Sequence, residues 1–333
     1  MNITFSLIIP VYNRPDEIQE LLESLLKQDF DKPYEIVIVE DGSTHTSKEI
    51  VNAYRSQLGI SYFFKSNSGP GDSRNFGMKK AKGNYFIILD SDCILPPHYL
   101  TAVWESLTGE YIDCFGGPDT AHKDFTVIQK AINYAMTSFI TTGGIRGKKK
   151  AVNRFQPRSF NMGISKKAFE ATGGFGKIHP GEDPDLTIRI WNAGFNTRLI
   201  PEAYVYHKRR ISWKKFYQQV HKFGLTRPIL NHWHPQTKKI TYWFPAVFLA
   251  GILAAILFAI AGMYYPLYAV GLYFIIIFAD SLLKNKNLLV ALFSVFAVLV
   301  QFTGYGYGFV KSTFQISLLG KKPETAFPKL FFK

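Results

Sequence analysis

NYFIILDSD, residues 84–92, is an apolar strand that runs straight into Asp90-Ser91-Asp92. Side chains alternate along a strand, so Asp90 and Asp92 point to one side and Ser91 to the other. Two carboxylates at the carboxyl end of a buried strand are costly unless a positive charge neutralises them. A hard divalent cation such as Mg²⁺ or Mn²⁺ prefers oxygen ligands of this kind, together with substrate phosphates. In open α/β sheets, ligands sit just beyond the carboxyl ends of the strands. A polar turn closing the strand is the alternative reading of the tripeptide alone.

The segments before it alternate between strand and helix. Residues 4–9 form an apolar strand that the spacing ends at Pro10, and Tyr34–Val39 and Ile60–Phe64 form two more. Between them, Pro15 opens a helix whose apolar positions Ile18, Leu21, Leu22, Leu25 and Leu26 follow helical periodicity. A second helix is expected up to about Gln57 and a third over 72–82, with Gly83 as its C-cap. Alternation with short connections predicts a doubly wound sheet, its parallel strands apolar on both faces. Further on, Tyr111–Phe115 and Ser159–Ile164 read as strands. Ser165 caps a helix that ends near Gly173, and another helix starts at Pro184 with Asp183 as its N-cap. Residues 141–158 form a basic loop containing Arg146, Lys148, Lys149, Lys150, Arg154 and Arg158, long enough to act as a mobile cover over a ligand.

The chain of 333 residues is 47% hydrophobic, but unevenly so. Ile240–Ala279 holds forty residues without a charge and Leu288–Val310 holds twenty-three more. A membrane span needs about 20 apolar residues. The first block fits two spans divided near Gly262–Pro266, and the second fits one. The net charge is +14, and no Asp or Glu lies between Ala203 and Ala279. Lys208, Arg209, Arg210, Lys214, Lys215, Lys222, Arg227, Lys238 and Lys239 precede the first span, as basic residues do on the cytosolic side of a membrane. Nucleic-acid binding is the competing reading of this charge, disfavoured because the cluster abuts the apolar block. Lys284 and Lys286 suit a cytosolic loop, whereas three full crossings put the basic tail outside, so one segment is re-entrant or interfacial. The start of the chain lacks the pattern of a secretory signal, and Cys93 and Cys114 lie in apolar strand contexts as reduced thiols. The expected division is 1–210 as a catalytic domain, 211–240 as a basic interfacial segment, 241–312 as three apolar segments and 313–333 as a tail.

Four further motifs carry chemistry. Asp41 closes a strand before Gly42-Ser43, where a carboxylate can take hydrogen bonds from a base or ribose, or bind its own turn. Ser68-Gly69-Pro70-Gly71-Asp72-Ser73-Arg74-Asn75 leads a glycine-bearing loop into a helix, whose amides attract phosphate. His179-Pro180-Gly181-Glu182-Asp183-Pro184-Asp185 places three carboxylates in seven residues at a rigid helix end, suited to a general base. His207 is a metal or phosphate ligand or a structural histidine, and His232-Trp233-His234 reads as interfacial.

Taken in order, Pro10-Val11-Tyr12-Asn13, Glu40-Asp41-Gly42-Ser43, Ser73-Arg74-Asn75, Asp90-Ser91-Asp92, Asn161-Met162-Gly163 and Glu182-Asp183-Pro184-Asp185-Leu186 with Arg189 resemble glycosyltransferase family 2, of the GT-A fold. The resemblance covers roughly residues 4–210. It implies transfer, with inversion, of one sugar from a nucleoside-diphosphate sugar to a hydroxyl of a membrane-associated acceptor, lipid-linked or glycan. It implies a GT-A-like mixed sheet followed by C-terminal transmembrane helices. It implies Mg²⁺ or Mn²⁺ on Asp92, with Asp90 at the ribose or metal shell. Pro10, Tyr12, Asp41 and Arg74 would contact the donor; Asp183 would be the base, with Glu182 its neighbour on the acceptor side. The implied location is the cytoplasmic membrane, with the catalytic domain in the cytosol. Glu40 and Ser73 stand where the family usually has Asp and Ala. The Gln-x-x-Arg-Trp motif of the processive synthases does not occur. Transfer to a polyprenyl phosphate and a non-catalytic nucleotide-sugar sensor are the alternatives.

Overall fold

The computed structural model describes residues 3–120, 125–142, 155–207 and 212–332. The chain divides into two compact units, one of residues 1–122, 151–208 and 331–333, the other of 123–150 and 209–330.

The first unit is a mixed α/β sandwich. In chain order its elements are β1 (Phe5–Val11), α1 (Pro15–Leu25), β2 (Tyr34–Asp41), α2 (Lys48–Tyr54), β3 (Ile60–Lys65), α3 (Pro70–Lys80), β4 (Tyr85–Leu89), β5 (Cys93–Ile94), α4 (Tyr99–Gly109), β6 (Cys114–Gly116) and β7 (Asp119–Thr120). The second unit then contributes α5 (Val127–Thr137) and α6 (Phe139–Thr142). The first resumes with β8 (Asn161–Ser165), α7 (Lys166–Thr172), α8 (Glu182–Asn192), β9 (Thr197–Leu199) and β10 (Val205–His207).

Seven strands form the main sheet in the order β3-β2-β1-β4-β8-β6-β9, and β5-β10-β7 form a small one. Strands β3, β2, β1 and β4 run parallel, and β8 is antiparallel to both β4 and β6. Both faces of β1, β2 and β4 are buried, whereas the edge strand β3 is only half-buried. Leu7, Ile9, Ile36, Ile38, Ile87 and Leu89 pack with Ile18, Leu21, Leu22 and Leu25 of α1. Ile8, Val37, Val39, Phe86 and Ile88 pack with Met78 of α3, Phe169 of α7 and Leu186 and Ile190 of α8. This alternation over two apolar faces is what a buried parallel strand requires. Each fully buried Leu or Ile contributes about 1.5–3 kcal/mol.

Several boundaries differ from the sequence expectation for identifiable reasons. Strand β1 continues through Pro10, because pairing with β4 stops at Ile8 and a proline beyond it forfeits no ladder bond on that side. Helix α3 ends at Lys80 with Ala81 extended. Gly83 is therefore not its cap; its amide donates instead to Ser6 Oγ at 2.9 Å and Glu35 Oε1 at 3.1 Å. Helix α8 starts at Glu182 with Gly181 at the N-cap, φ 125°, so Asp183 lies in the first turn rather than at the cap. Three acidic residues in that turn complement the helix dipole.

The second unit is helical. After α5 and α6 it contains α9 (Trp213–Trp233), α10 (Phe244–Ile260), α11 (Tyr265–Asn285) and α12 (Leu288–Thr313). Residues 125–142 belong to it because Ile132 and Ala135 of α5 are buried with Phe216 and Val220 of α9, Ile277 of α11 and Val298 and Phe302 of α12. Helices α9 and α12 approach closely: a Cβ on Gly304 would meet Val220, and one on Gly224 would meet the Tyr305 backbone. The missing side chains let the two helix backbones approach this closely. Ile240–Ile260, Tyr265–Asn285 and Leu288–Leu318 are each long and apolar enough to cross a membrane. Asp280, just past the charge-free block, accepts from Tyr134 Oη at 2.6 Å and pairs with Lys284 at 2.8 Å.

Candidate active site

Three loops leave the carboxyl ends of β1, β2 and β4. The first two lock together through Asn13, which holds φ 54°, a left-handed conformation that Asn tolerates. Its Oδ1 accepts from the amides of Thr44 at 2.9 Å and His45 at 3.0 Å, and its own amide donates to Ser43 Oγ at 2.7 Å. Beneath them Glu40, fully buried, accepts from Ser43 Oγ, from the Ser47 amide at 2.9 Å and hydroxyl at 2.5 Å, and from Tyr62 Oη at 3.1 Å. Burial and the Glu40 charge push the Tyr62 phenol up, so it remains a donor.

Asp41, 3% exposed, gathers the loop after β3. Its Oδ1 accepts from Lys65 Nζ at 2.5 Å and the Ser68 amide at 3.0 Å. Its Oδ2 accepts from the Gly69 amide at 2.9 Å and Asn67 Nδ2 at 3.3 Å. Lys65 reaches it because the β2–β3 register places the two residues side by side. The carboxylate thereby fixes the backbone of 67–69.

Arg74, 4% exposed on α3, is the hub of the site. Its guanidinium donates to Asp90 Oδ1 at 2.8 Å and lies 3.5 Å from Glu182 Oε1, with Nε buried and unpartnered. Phe175 covers it, ring centroid 5.3 Å from Cζ. Burial lowers the Arg74 pKa, but Asp90, Glu182 and Asp183 outweigh it and raise the net value. Asn75 beside it fixes Phe175, accepting its amide at 2.8 Å and donating to its carbonyl at 2.9 Å. Arg189 pairs with Asp185 at 2.7 Å and donates to the carbonyls of Thr172 and Gly174. These two side chains hold the 172–176 turn under the site.

Glu182 and Asp183 adjoin but differ. Burial pushes the Glu182 carboxyl up, yet the 2.8 Å contact to His179 Nδ1, the His179 charge and Arg74 outweigh it and hold it below the ordinary glutamate value. Asp183 is raised: burial leads, the Glu182 charge adds to it, and the opposing pull of Arg74, Arg158 and Ser159 is smaller. Its Oδ1 is buried without a hydrogen-bond partner. Two neighbouring carboxyls pushed apart in this way suit different tasks, the raised one being the better proton acceptor near neutral pH.

Asp92 pairs with Arg14 at 2.8 Å, and Asp90 pairs with Arg74. Both carboxylates thus already face positive charge, and their hard oxygens fit Mg²⁺ or Mn²⁺. No group of three or more Asp, Glu, His or Cys forms a metal cluster among the described residues. An ion on Asp90 and Asp92 would take its remaining ligands from diphosphate oxygens and water, as Mg²⁺ commonly does.

Of the residues singled out from sequence, Arg74, Asp90, Glu182 and Asp183 come together around one guanidinium. Asp92 joins them through the loop it shares with Asp90, and Asp41 anchors the adjacent 67–69 loop. Pro10 lies inside β1, one residue before the buried Val11, and Tyr12, 53% exposed, stands out from the loop after it. His207 lies in register opposite Cys93, next to Asp92 in sequence. Residues 143–154 of the basic loop fall outside the described residues. Arg14 and Lys65 were not singled out as site residues, and His179 only as the first residue of the acidic motif, without a role. The strand register signals Lys65, and His179 stands three residues before Glu182, but nothing local in the sequence announces Arg14 beside Asp92.

The chain matches the family model described as glycosyl transferase family 2 over residues 6–173, just over half its length. It is 44% identical over 91 residues to the poly(ribitol-phosphate) beta-N-acetylglucosaminyltransferase TarS of Staphylococcus aureus, covering 26% of this chain and 16% of that protein. It is 28% identical over 236 residues to chondroitin synthase of Escherichia coli, covering 61% of this chain and 34% of that protein. It therefore spans only a minor part of these relatives. Among solved structures, mannosyltransferase PcManGT from Pyrobaculum calidifontis, in complex with GDP-Man and Mn²⁺, aligns with a TM-score of 0.65 at 16% identity, covering 95% of this chain and 88% of that one. At that identity the likeness shows the fold, a GT-A-like mixed sheet accompanied here by three apolar C-terminal helices. With more than half its residues inside the family model and its fold matched, the chain belongs to glycosyl transferase family 2.

Proposed function

We propose that the protein is a metal-dependent, inverting glycosyltransferase that moves one sugar from a nucleoside-diphosphate sugar to a hydroxyl of a membrane-associated acceptor. One observation carries this reading: a buried arginine ties Asp90, on the side of the leaving diphosphate, to Glu182, next to the proposed base Asp183. The two ends of a displacement are thus referenced to one rigid group. That PcManGT is complexed with GDP-Man and Mn²⁺, and that TarS is named for sugar transfer to a poly(ribitol-phosphate), supports the donor class and a polymer acceptor.

In this reading Asp41 and its 67–69 loop, with Pro10 and Tyr12, frame the nucleotide. Asp92 and Asp90 would hold Mg²⁺ or Mn²⁺, which when bound supplies charge stabilisation to the leaving diphosphate. Asp183 Oδ takes the proton of the acceptor hydroxyl. The acceptor oxygen attacks the anomeric carbon opposite the diphosphate, forming the new glycosidic bond as the sugar–phosphate bond breaks. Glu182, kept ionised by His179 and Arg74, holds Asp183 up as a base. The basic residues before Ile240 and the three apolar helices support a membrane location with the catalytic unit in the cytosol.

The test is a donor screen. Membranes containing the full chain are incubated with labelled UDP-GlcNAc, UDP-glucose and GDP-mannose, with Mn²⁺ or with EDTA. Label entering the lipid or polymer fraction only with the metal supports the reading. No transfer from any nucleotide sugar, or equal transfer with EDTA, refutes it.

A further inference from the structure

Two aromatic residues beyond the apolar helices in sequence belong to the catalytic unit. Phe331 forms an antiparallel bridge with Ile178, and the Phe332 amide donates to the Lys177 carbonyl at 3.0 Å. The Phe332 ring lies so close to Gly69 that a Cβ there would fall on its carbons, and its centroid is 6.0 Å from the His179 ring. Both neighbours are themselves tied to the site. The Gly69 amide donates to Asp41 Oδ2, and His179 Nδ1 contacts Glu182 Oε1 at 2.8 Å. Gly69 holds φ 94° and leaves room for the ring that any side chain would take away.

We propose that Phe332 is a positioning residue for sugar transfer. Its ring is the shared wall between the loop that Asp41 organises and the loop that carries His179 and Glu182. Arg74, on the helix that follows the 67–69 loop, reaches Glu182 from within, and Phe332 couples the two loops from outside, pinned by the main-chain contacts of 331–332 to 177–178. The inference rests on the glycosyl-transfer reading: one loop frames the donor and the other sets the base, so both must hold together when the donor binds. Losing the ring leaves every group that touches substrate in the chain but loosens their mutual placement.

The experiment compares full-length wild type, Phe332→Ala, Phe332→Leu and Phe332→Tyr in detergent. The probe is whichever of UDP-GlcNAc, UDP-glucose and GDP-mannose the wild type transfers best. Misplacement of about 1 Å can cost up to about 10²-fold in rate, so we expect Phe332→Ala to raise the donor KM and lower kcat by about tenfold each. Phe332→Tyr, which keeps the ring, should stay within about twofold of wild type on both constants. Thermal unfolding should move little in either. If Phe332→Ala does not fold, Phe332→Leu is read in its place. Wild-type constants in the ringless variant, or equal losses in the Tyr variant, overturn the proposal. A wild type that transfers from none of the three donors overturns the glycosyl-transfer reading itself.

Discussion

Asp183 is held at a cost to the fold. Its carboxyl is raised by burial and by Glu182, so the folded protein keeps that proton more tightly than the unfolded chain does. The stabilising effect of the bound proton is complete below the ordinary aspartate value and is lost as pH rises through the raised one. Asp183→Asn should therefore lower kcat by about 10²–10⁴ while leaving the protein at least as stable at neutral pH. Melting curves at pH 5 and 7.5 check the second half: the gap between variant and wild type should widen in the variant's favour at the higher pH. Glu182→Gln removes the charge that helps raise Asp183. The acid limb of kcat/KM should then move to lower pH, measured as a full pH–rate profile. At this scale the side chains that gather at the Arg74 guanidinium, Asp90, Glu182 and Asp183, were singled out by motifs that are local in sequence. The contacts of Arg14 with Asp92 and of His179 with Glu182 were not. The first bridges 78 positions, and the second depends on how the 177–181 loop is laid down.

Among the elements, the turn after α7 does the positioning. Asn75 meets both the amide and the carbonyl of Phe175, and that ring covers Arg74. Asn75→Ala strands two backbone groups and should cost about 1–3 kcal/mol. Chemical denaturation gives the stability change, and a rise in donor KM shows that the Arg74 hub has loosened. Helical and strand periodicity identified α1, β2 and β4 because each buries a continuous apolar face, and the apolar run of β3 identified that half-buried edge strand. Ends were less legible. Tyr111 and Ile112 read as strand by composition, but β6 starts at Cys114, where β8 and β9 supply partners. Helix α8 begins at Glu182 because Gly181 can take the positive φ that turns the chain into it.

For the whole molecule, the linear order of motifs hid one grouping: residues 125–142 lie between two parts of the catalytic unit in sequence but pack with the apolar helices. Composition could not reveal this, since α5 is an ordinary amphipathic helix whose buried face finds its partners far along the chain. Three helices of spanning length predict that the protein remains in the pellet after sodium carbonate extraction and leaves it only with detergent. Recovery in the carbonate supernatant would contradict spanning by those helices.

The account stands or falls on a single displacement at the anomeric carbon with Asp183 as base. The direct measurement is the anomeric configuration of the product, read by NMR coupling constants after transfer from an α-linked nucleotide sugar. A β-linked product is predicted. An α-linked product would contradict the mechanism assigned to this site.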